Sequence, residues 1–252
     1  MAPPLLALRG VCKRYGAVRA LVDVDLEIRA GEVVALVGEN AAGKSTLVKV
    51  ISGVDAADRG MIAWQGRTVR IGRPYDAQTL GIATVYQDLS LCENLDGVGN
   101  VFLGREIHRL GILDEVEMER RTLELMDTLG LGTPDVRAPV ASLSGVQRQT
   151  VAISRSLLGE PRLLLLDEPT ASLGLDQIAR LFDVIEHLRD GGLGVLLISH
   201  NMGDIKAIAD QVAVLRLGRN NGVFDVNTTS QEQITSAVIG ASDNAMAHRT
   251  TM

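Results

Sequence analysis

The sequence predicts an α/β fold built around a parallel central sheet, and three features carry that reading. A short valine-rich strand at 32–37 runs through a glycine-bounded loop into a helix at 44–52. Two later apolar runs, Arg162 to Leu166 and Gly194 to Ile198, show no alternation, as expected of strands buried on both faces of a parallel sheet. Helical stretches flank both runs, as parallel strands require of their crossovers.

Taken in order, Leu5 to Tyr15 and Val22 to Ile28 read as strands. In the second, Val22, Val24, Leu26 and Ile28 alternate with Asp23, Asp25 and Glu27, so one face is wet and an antiparallel β portion is expected near the N-terminus. The helix at 44–52 closes on Gly53, a residue that tolerates the left-handed turn of a helix end. From about Asp88 to Leu158 the pattern turns helical, giving an inserted helical subdomain at 88–158. Within it, Asp114 to Leu129 places Val116, Leu123, Met126 and Leu129 near one face, with the methionines as core filler. Residues 1–240 then make one domain, and 241–252 is a small polar tail without period, expected to be loose.

Composition excludes several function classes. The 252 residues are 46% apolar and 22% charged, which suits a folded globular chain. With 31 acidic and 25 basic residues the formal charge is -6, the wrong sign for a chain that binds nucleic acid by releasing counterions. Arg67, Arg70 and Arg73 read as a solvated face. No apolar run approaches the roughly 20 residues that span a bilayer. The opening MAPPLLALRG lacks the pattern of a secretory leader, so a cytosolic location is expected. Cys12 and Cys92 have no paired spacing and read as two reduced packing thiols.

Chemistry enters at Gly38-Glu39-Asn40-Ala41-Ala42-Gly43-Lys44-Ser45-Thr46, which fits G-x-x-x-x-G-K-S/T between a strand and a helix. In that context the loop N–H groups and the helix N-terminus surround a β-phosphate, Lys44 reaches the β and γ oxygens, and Ser45 ligates Mg²⁺. The run RLLLLDE sets Asp167 and Glu168 at the end of a buried strand, where open parallel sheets present ligands. Asp167 is expected to hold Mg²⁺ through water, and Glu168 to orient the water that attacks the γ-phosphate. At Leu143-Ser144-Gly145-Val146-Gln147 the chain meets another helix start, with Ser144 as N-cap ahead of a helix at 147–158. Such a terminus can bind an anion, but standing alone the segment would read as an ordinary capped helix.

The phosphate loop, LSGVQ, LLLLDEP and the His200 of LLISH occur in the order of an ABC ATPase, and the resemblance covers nearly the whole chain. It extends to KRYGAVRAL, where Tyr15 matches the residue that stacks on adenine, with a buried core tyrosine as the rival reading. It implies that Gln87 of VYQDLSL approaches Mg²⁺ and senses a transmembrane partner, and that His200, at a strand end, contacts the γ-phosphate. The segment from Tyr86 to Glu106, the turn TASLGL and VLRLGR resemble the carbohydrate-uptake branch. ATP with Mg²⁺ is therefore the expected ligand. The expected partners are a second copy of the chain or a homologous cassette, whose signature segment (Leu143 to Gln147 in this chain) closes over this copy's ATP, and transmembrane permease subunits. A sugar-binding protein acts indirectly, at the far side of the permease. The expected location is peripheral, on the cytoplasmic face of the membrane.

Two positions depart from the family: Ala41 replaces a loop glycine, and Val146 replaces the second glycine of LSGGQ. They keep open a rival, a nucleotide-binding subunit with impaired hydrolysis that assembles or regulates. A soluble ABC ATPase acting on DNA or ribosomes is disfavoured by the acidic balance and by the absence of a long coiled-coil insertion between Gln87 and Leu143.

Overall fold

The computed structural model describes residues 3–129, 135–171 and 173–241. The expected tail from 242 on and Ser172 of the TASLGL turn lie outside the described residues. The chain opens with two long antiparallel strands, β1 (Leu6–Tyr15) and β2 (Val18–Ile28), and then enters β3 (Val33–Val37) and α1 (Lys44–Ile51). Two further strands, β4 (Arg59–Trp64) and β5 (Arg67–Val69), pair beyond β1 in an antiparallel sheet ordered β2-β1-β4-β5. Val24, Leu26 and Ile28 are buried while Asp23 faces solvent, the one-sided sheet that alternation requires.

Next come α2 (Pro74–Leu80), β6 (Ile82–Val85) and α3 (Gly97–Val101). A small hairpin, β7 (His108–Arg109) with β8 (Ile112–Leu113), interrupts the helical subdomain before α4 (Glu115–Leu129) and α5 (Gly145–Leu157). The chain then alternates β9 (Leu163–Asp167), α6 (Leu175–Asp190), β10 (Gly194–Ile198) and α7 (Met202–Ile208). It finishes with β11 (Gln211–Arg216), β12 (Arg219–Asp225) and α8 (Gln231–Ile239).

The central sheet runs β12-β11-β3-β10-β9-β6, parallel throughout except for β12. Every residue of β3 and β10 is buried, which explains why neither shows alternation in the sequence. Successive side chains leave the sheet on opposite faces. Val34 and Leu36 pack with Leu47, Val48 and Ile51 of α1 and with the antiparallel sheet. Val33, Ala35 and Val37 pack on the other face with Leu181 and Ile185 of α6 and Ile205 of α7. A third, smaller core holds the helical subdomain, formed by Val98, Phe102, Met118, Met126, Val140 and Val151 among others.

The expected face of α4 is corrected here. Met118, Thr122, Met126 and Leu129 are its buried residues, whereas Val116 is 80% and Leu123 38% exposed. The buried stripe steps by four, four and three residues, as a helical face does, and Val116 lies off it. Met118 and Met126 do fill core space. Cys92 is exposed and Cys12 partly buried, so Cys92 is not a packing thiol. No helix among the described residues is long and apolar enough to cross a membrane.

Candidate nucleotide site

Parallel strands share a carboxyl edge, and four of them deliver the expected residues to it. The phosphate loop follows β3, Gln87 follows β6, Asp167 ends β9 with Glu168 beyond it, and His200 follows β10. His200 stands two residues past the last residue of β10 and so lies in the connecting turn, a correction to its expected place at the strand end.

The loop is shaped by its glycines and tied down from outside. A Cβ on Gly38 (φ 155°) would stand 2.2 Å from the Leu215 carbonyl oxygen, and one on Gly43 (φ 107°) 2.7 Å from that of Ala20. The Gly218 amide donates to the Ala42 carbonyl (3.0 Å), and the Val22 amide donates to that of Gly218 (2.7 Å), anchoring the loop to β2 and the β11–β12 turn. Ala41 has φ 65°, in the left-handed region, so its Cβ is strained by roughly 1–2 kcal/mol. Gly43 caps α1, whose first amides face the loop, and Ser45 is exposed in that first turn.

Lys44 Nζ donates to the carbonyl oxygens of Gly38 (2.7 Å) and Glu39 (3.1 Å). Burial lowers its pKa, and the charges of Glu168 and Asp167 act the other way. Burial raises the pKa of Asp167 and the neighbouring Glu168 adds to the rise, with Lys44 opposing. Two acids thus share a partly buried place with one cation. That excess of negative charge on hard oxygen donors, close to the start of α1 where Lys44 stands, fits Mg²⁺, which keeps waters and phosphate oxygens in its shell and needs no all-protein cage.

Glu168 also sits at φ 48°, a left-handed conformation unusual for a side chain with no turn chemistry. Its amide donates to the Ile198 carbonyl at 3.0 Å, and its Oε1 lies 3.2 Å from His200 Nδ1. Nothing in the sequence signals this backbone, because the constraint comes from β10 rather than from neighbours in the chain.

Tyr15 ends β1 and is 41% exposed, which removes the reading of it as a core residue. Its hydroxyl donates to Asp55 at 2.5 Å, and Lys13 Nζ lies 5.5 Å from the ring centroid. Gln87 is exposed, but the residues around it are held. The Tyr86 hydroxyl donates to Ser52 Oγ at 3.1 Å, while Arg155 of α5 donates to the carbonyls of Leu89 (2.7 Å) and Ser90 (2.9 Å). The Arg155 grip joins the Gln87 loop to the signature helix, a link no sequence spacing shows.

The signature residues open the helix α5. Ser144 caps α5 by accepting from the Gln147 amide (3.4 Å), while Gln147 Oε1 accepts from the Ser144 amide (2.9 Å), the reciprocal pair of a capping box. Leu143 is buried, Ser144 and Gly145 are exposed, and Val146 is half-buried in the first turn. Among the described residues no hydrogen bond joins 143–147 to 38–46.

Comparison with known proteins bears on this geometry. The chain is 41% identical over 234 residues to the xylose/arabinose import ATP-binding protein XylG of Sulfolobus acidocaldarius, covering 93% of each. It is likewise 41% identical over 239 residues to the ribose import ATP-binding protein RbsA 1 of Rubrobacter xylanophilus, where it spans 95% of its own length and 48% of the relative's. A nucleotide-free ATP-binding cassette from an ABC transporter superposes with a TM-score of 0.82 at 23% identity, over 94% of this chain and 96% of that one, a likeness of fold. The family profile described as ABC transporter matches residues 21–171, more than half of the sequence. The chain belongs to the ABC transporter family, as one of its ATP-binding cassettes.

Proposed function

We propose that this chain is the ATP-hydrolysing subunit of a sugar importer and works as a pair of copies on the cytoplasmic face of a membrane. The observation that carries the ATPase reading is the shared edge, where Lys44, Asp167, Glu168 and His200 come from three adjacent parallel strands. The sugar comes from the relatives, named for import of xylose, arabinose and ribose.

In this reading the loop amides of residues 38–46 and Lys44 bind the ATP phosphates, and Tyr15 carries the adenine on its exposed ring. Glu168 orients the attacking water and takes up its proton, with His200 beside it to contact the γ-phosphate. Mg²⁺, when held by Ser45 with Gln87 and Asp167 nearby, supplies neutralisation of phosphate charge. Among the described residues the signature terminus at Ser144 makes no hydrogen bond to its own loop, which supports its use on a second copy's nucleotide.

A cleft of about 490 Å³ lies beside the Gln87 loop, lined by Tyr86, Ser90, Leu103, Arg105 and Arg155 among others. Its position supports docking of the permease there, so that movement of the Gln87 loop reaches the membrane subunits. A sugar-binding protein outside would deliver the cargo.

The test is MgATP turnover across a range of protein concentrations, with Glu168→Gln as control. Turnover rising faster than linearly, and lost in the control, supports a paired ATPase. Retained ATP binding with background turnover at all concentrations would favour the second reading, a cassette disabled at Val146 that assembles or regulates.

A further inference from the structure

Asp204 is buried, with 5% of its surface exposed, and is the only ionisable residue so enclosed among the described residues. Nothing in the proposed chemistry uses it. Its place is the first turn of α7, four residues past His200, and its Oδ2 accepts a hydrogen bond from Thr170 Oγ1 at 2.7 Å. Thr170 in turn stands two residues past Glu168.

The segments leaving β9 and β10 are therefore tied together at three places. The Glu168 amide bonds the Ile198 carbonyl, the Glu168 carboxylate meets His200, and Thr170 bonds Asp204. A left-handed glutamate persists only where its surroundings over-determine it, and these ties supply that constraint on both sides of Glu168. A buried carboxylate is costly unless hydrogen-bonded, so the Thr170 hydroxyl is also what makes Asp204 tolerable in that place.

We infer that Asp204 is a positioning residue, which acts through Thr170 to hold the Glu168 carboxylate against His200. The inference rests on the proposed role of Glu168 at the attacking water. Without the bond, the segment after Glu168 is free to relax towards ordinary backbone angles and the carboxylate leaves the imidazole. Nucleotide binding, which belongs to the loop after β3, is untouched.

The test compares Thr170→Val, Asp204→Ala, their double variant and Thr170→Ser. Each single loss lowers kcat about tenfold, and the double is no worse than the singles because both remove one bond. The dissociation constant for MgATP stays within about twofold of the parent, and Thr170→Ser, which keeps the hydroxyl, restores kcat. Amide exchange in the nucleotide-free protein gives a second readout: the Glu168 amide exchanges about tenfold faster while amides inside β9 keep their protection. Multiplicative losses in the double variant, affinity falling in step with kcat, failure of serine to rescue, or unchanged Glu168 exchange would each overturn the inference. If the parent protein turns over no ATP, the proposed role of Glu168 fails, and the exchange readout alone decides the positioning.

Discussion

Ala41 and Val146 both stand where ABC cassettes carry glycine, yet the two replacements burden different parts of the molecule. At Ala41 the backbone is left-handed (φ 65°), so the methyl group costs conformational strain while the loop keeps its anchors to Gly218 and Val22. Val146 lies in ordinary helical backbone one residue inside a well-capped helix start, so it carries no such strain. In the proposed pairing its burden is steric, a branched side chain at the terminus that would face a second copy's nucleotide. A glycine lost for its dihedral angle weakens one chain, whereas a glycine lost for its emptiness weakens an interface.

The largest expected effect removes the chemistry that both positions serve. Glu168→Gln should lower turnover by about a hundredfold or more, the contribution of a positioned base, with ATP still bound as judged by equilibrium titration. Val146→Gly comes next and separates the two positions most sharply. If the valine withholds one hydrogen bond to a charged phosphate, roughly 1.5–3 kcal/mol, restoring glycine raises turnover about ten- to a hundredfold. Melting temperature should fall by about 2–4 °C, because glycine in helical backbone costs about 0.5–1 kcal/mol and the half-buried side chain is lost. An unchanged rate would show that the interface accommodates the side chain.

Asp167→Asn measures how much strain the sheet edge holds from charge. The folded-state pKa of Asp167 is raised, by burial first and by Glu168 second, so the folded state binds this proton more tightly than the unfolded chain does. Its charged form therefore costs stability at neutral pH, and the cost fades as pH falls towards the ordinary carboxylate range. The variant should melt higher than the parent at pH 7, with the gain shrinking towards pH 4. Ala41→Gly is the smallest. Relief of the left-handed strain is partly offset by the greater freedom of glycine in the unfolded chain, leaving a rise of about 2 °C or less by calorimetry.

The parts of this molecule visible in the sequence are those that depend on neighbours along the chain. Glycines at 38 and 43, Lys44 and the helix after them fix the loop locally, and the uninterrupted apolar runs at β9 and β10 follow from burial on both faces. The signature cap is local as well, with Ser144 and Gln147 three residues apart. What the sequence hides is set across the chain. Residues 115–129 carry apolar side chains at 116, 118, 123, 125, 126 and 129, enough for two competing stripes, and packing against α3 and α5 selects the one through Met118 and Met126. The left-handed turn at Glu168, the Arg155 grip on the Gln87 loop and the Thr170–Asp204 bond all join segments from different strands or helices. No residue spacing encodes them.

The central claim is that the complete site needs two copies, each lending its Ser144 terminus to the other's phosphate loop. Sedimentation of the Glu168→Gln variant, with and without MgATP, tests it most directly because ATP bound there is not consumed. A monomer that becomes a dimer on adding MgATP, more tightly when Val146→Gly is added, is the predicted result. A single species of unchanged mass at saturating MgATP, with glycine or valine at 146, would contradict it.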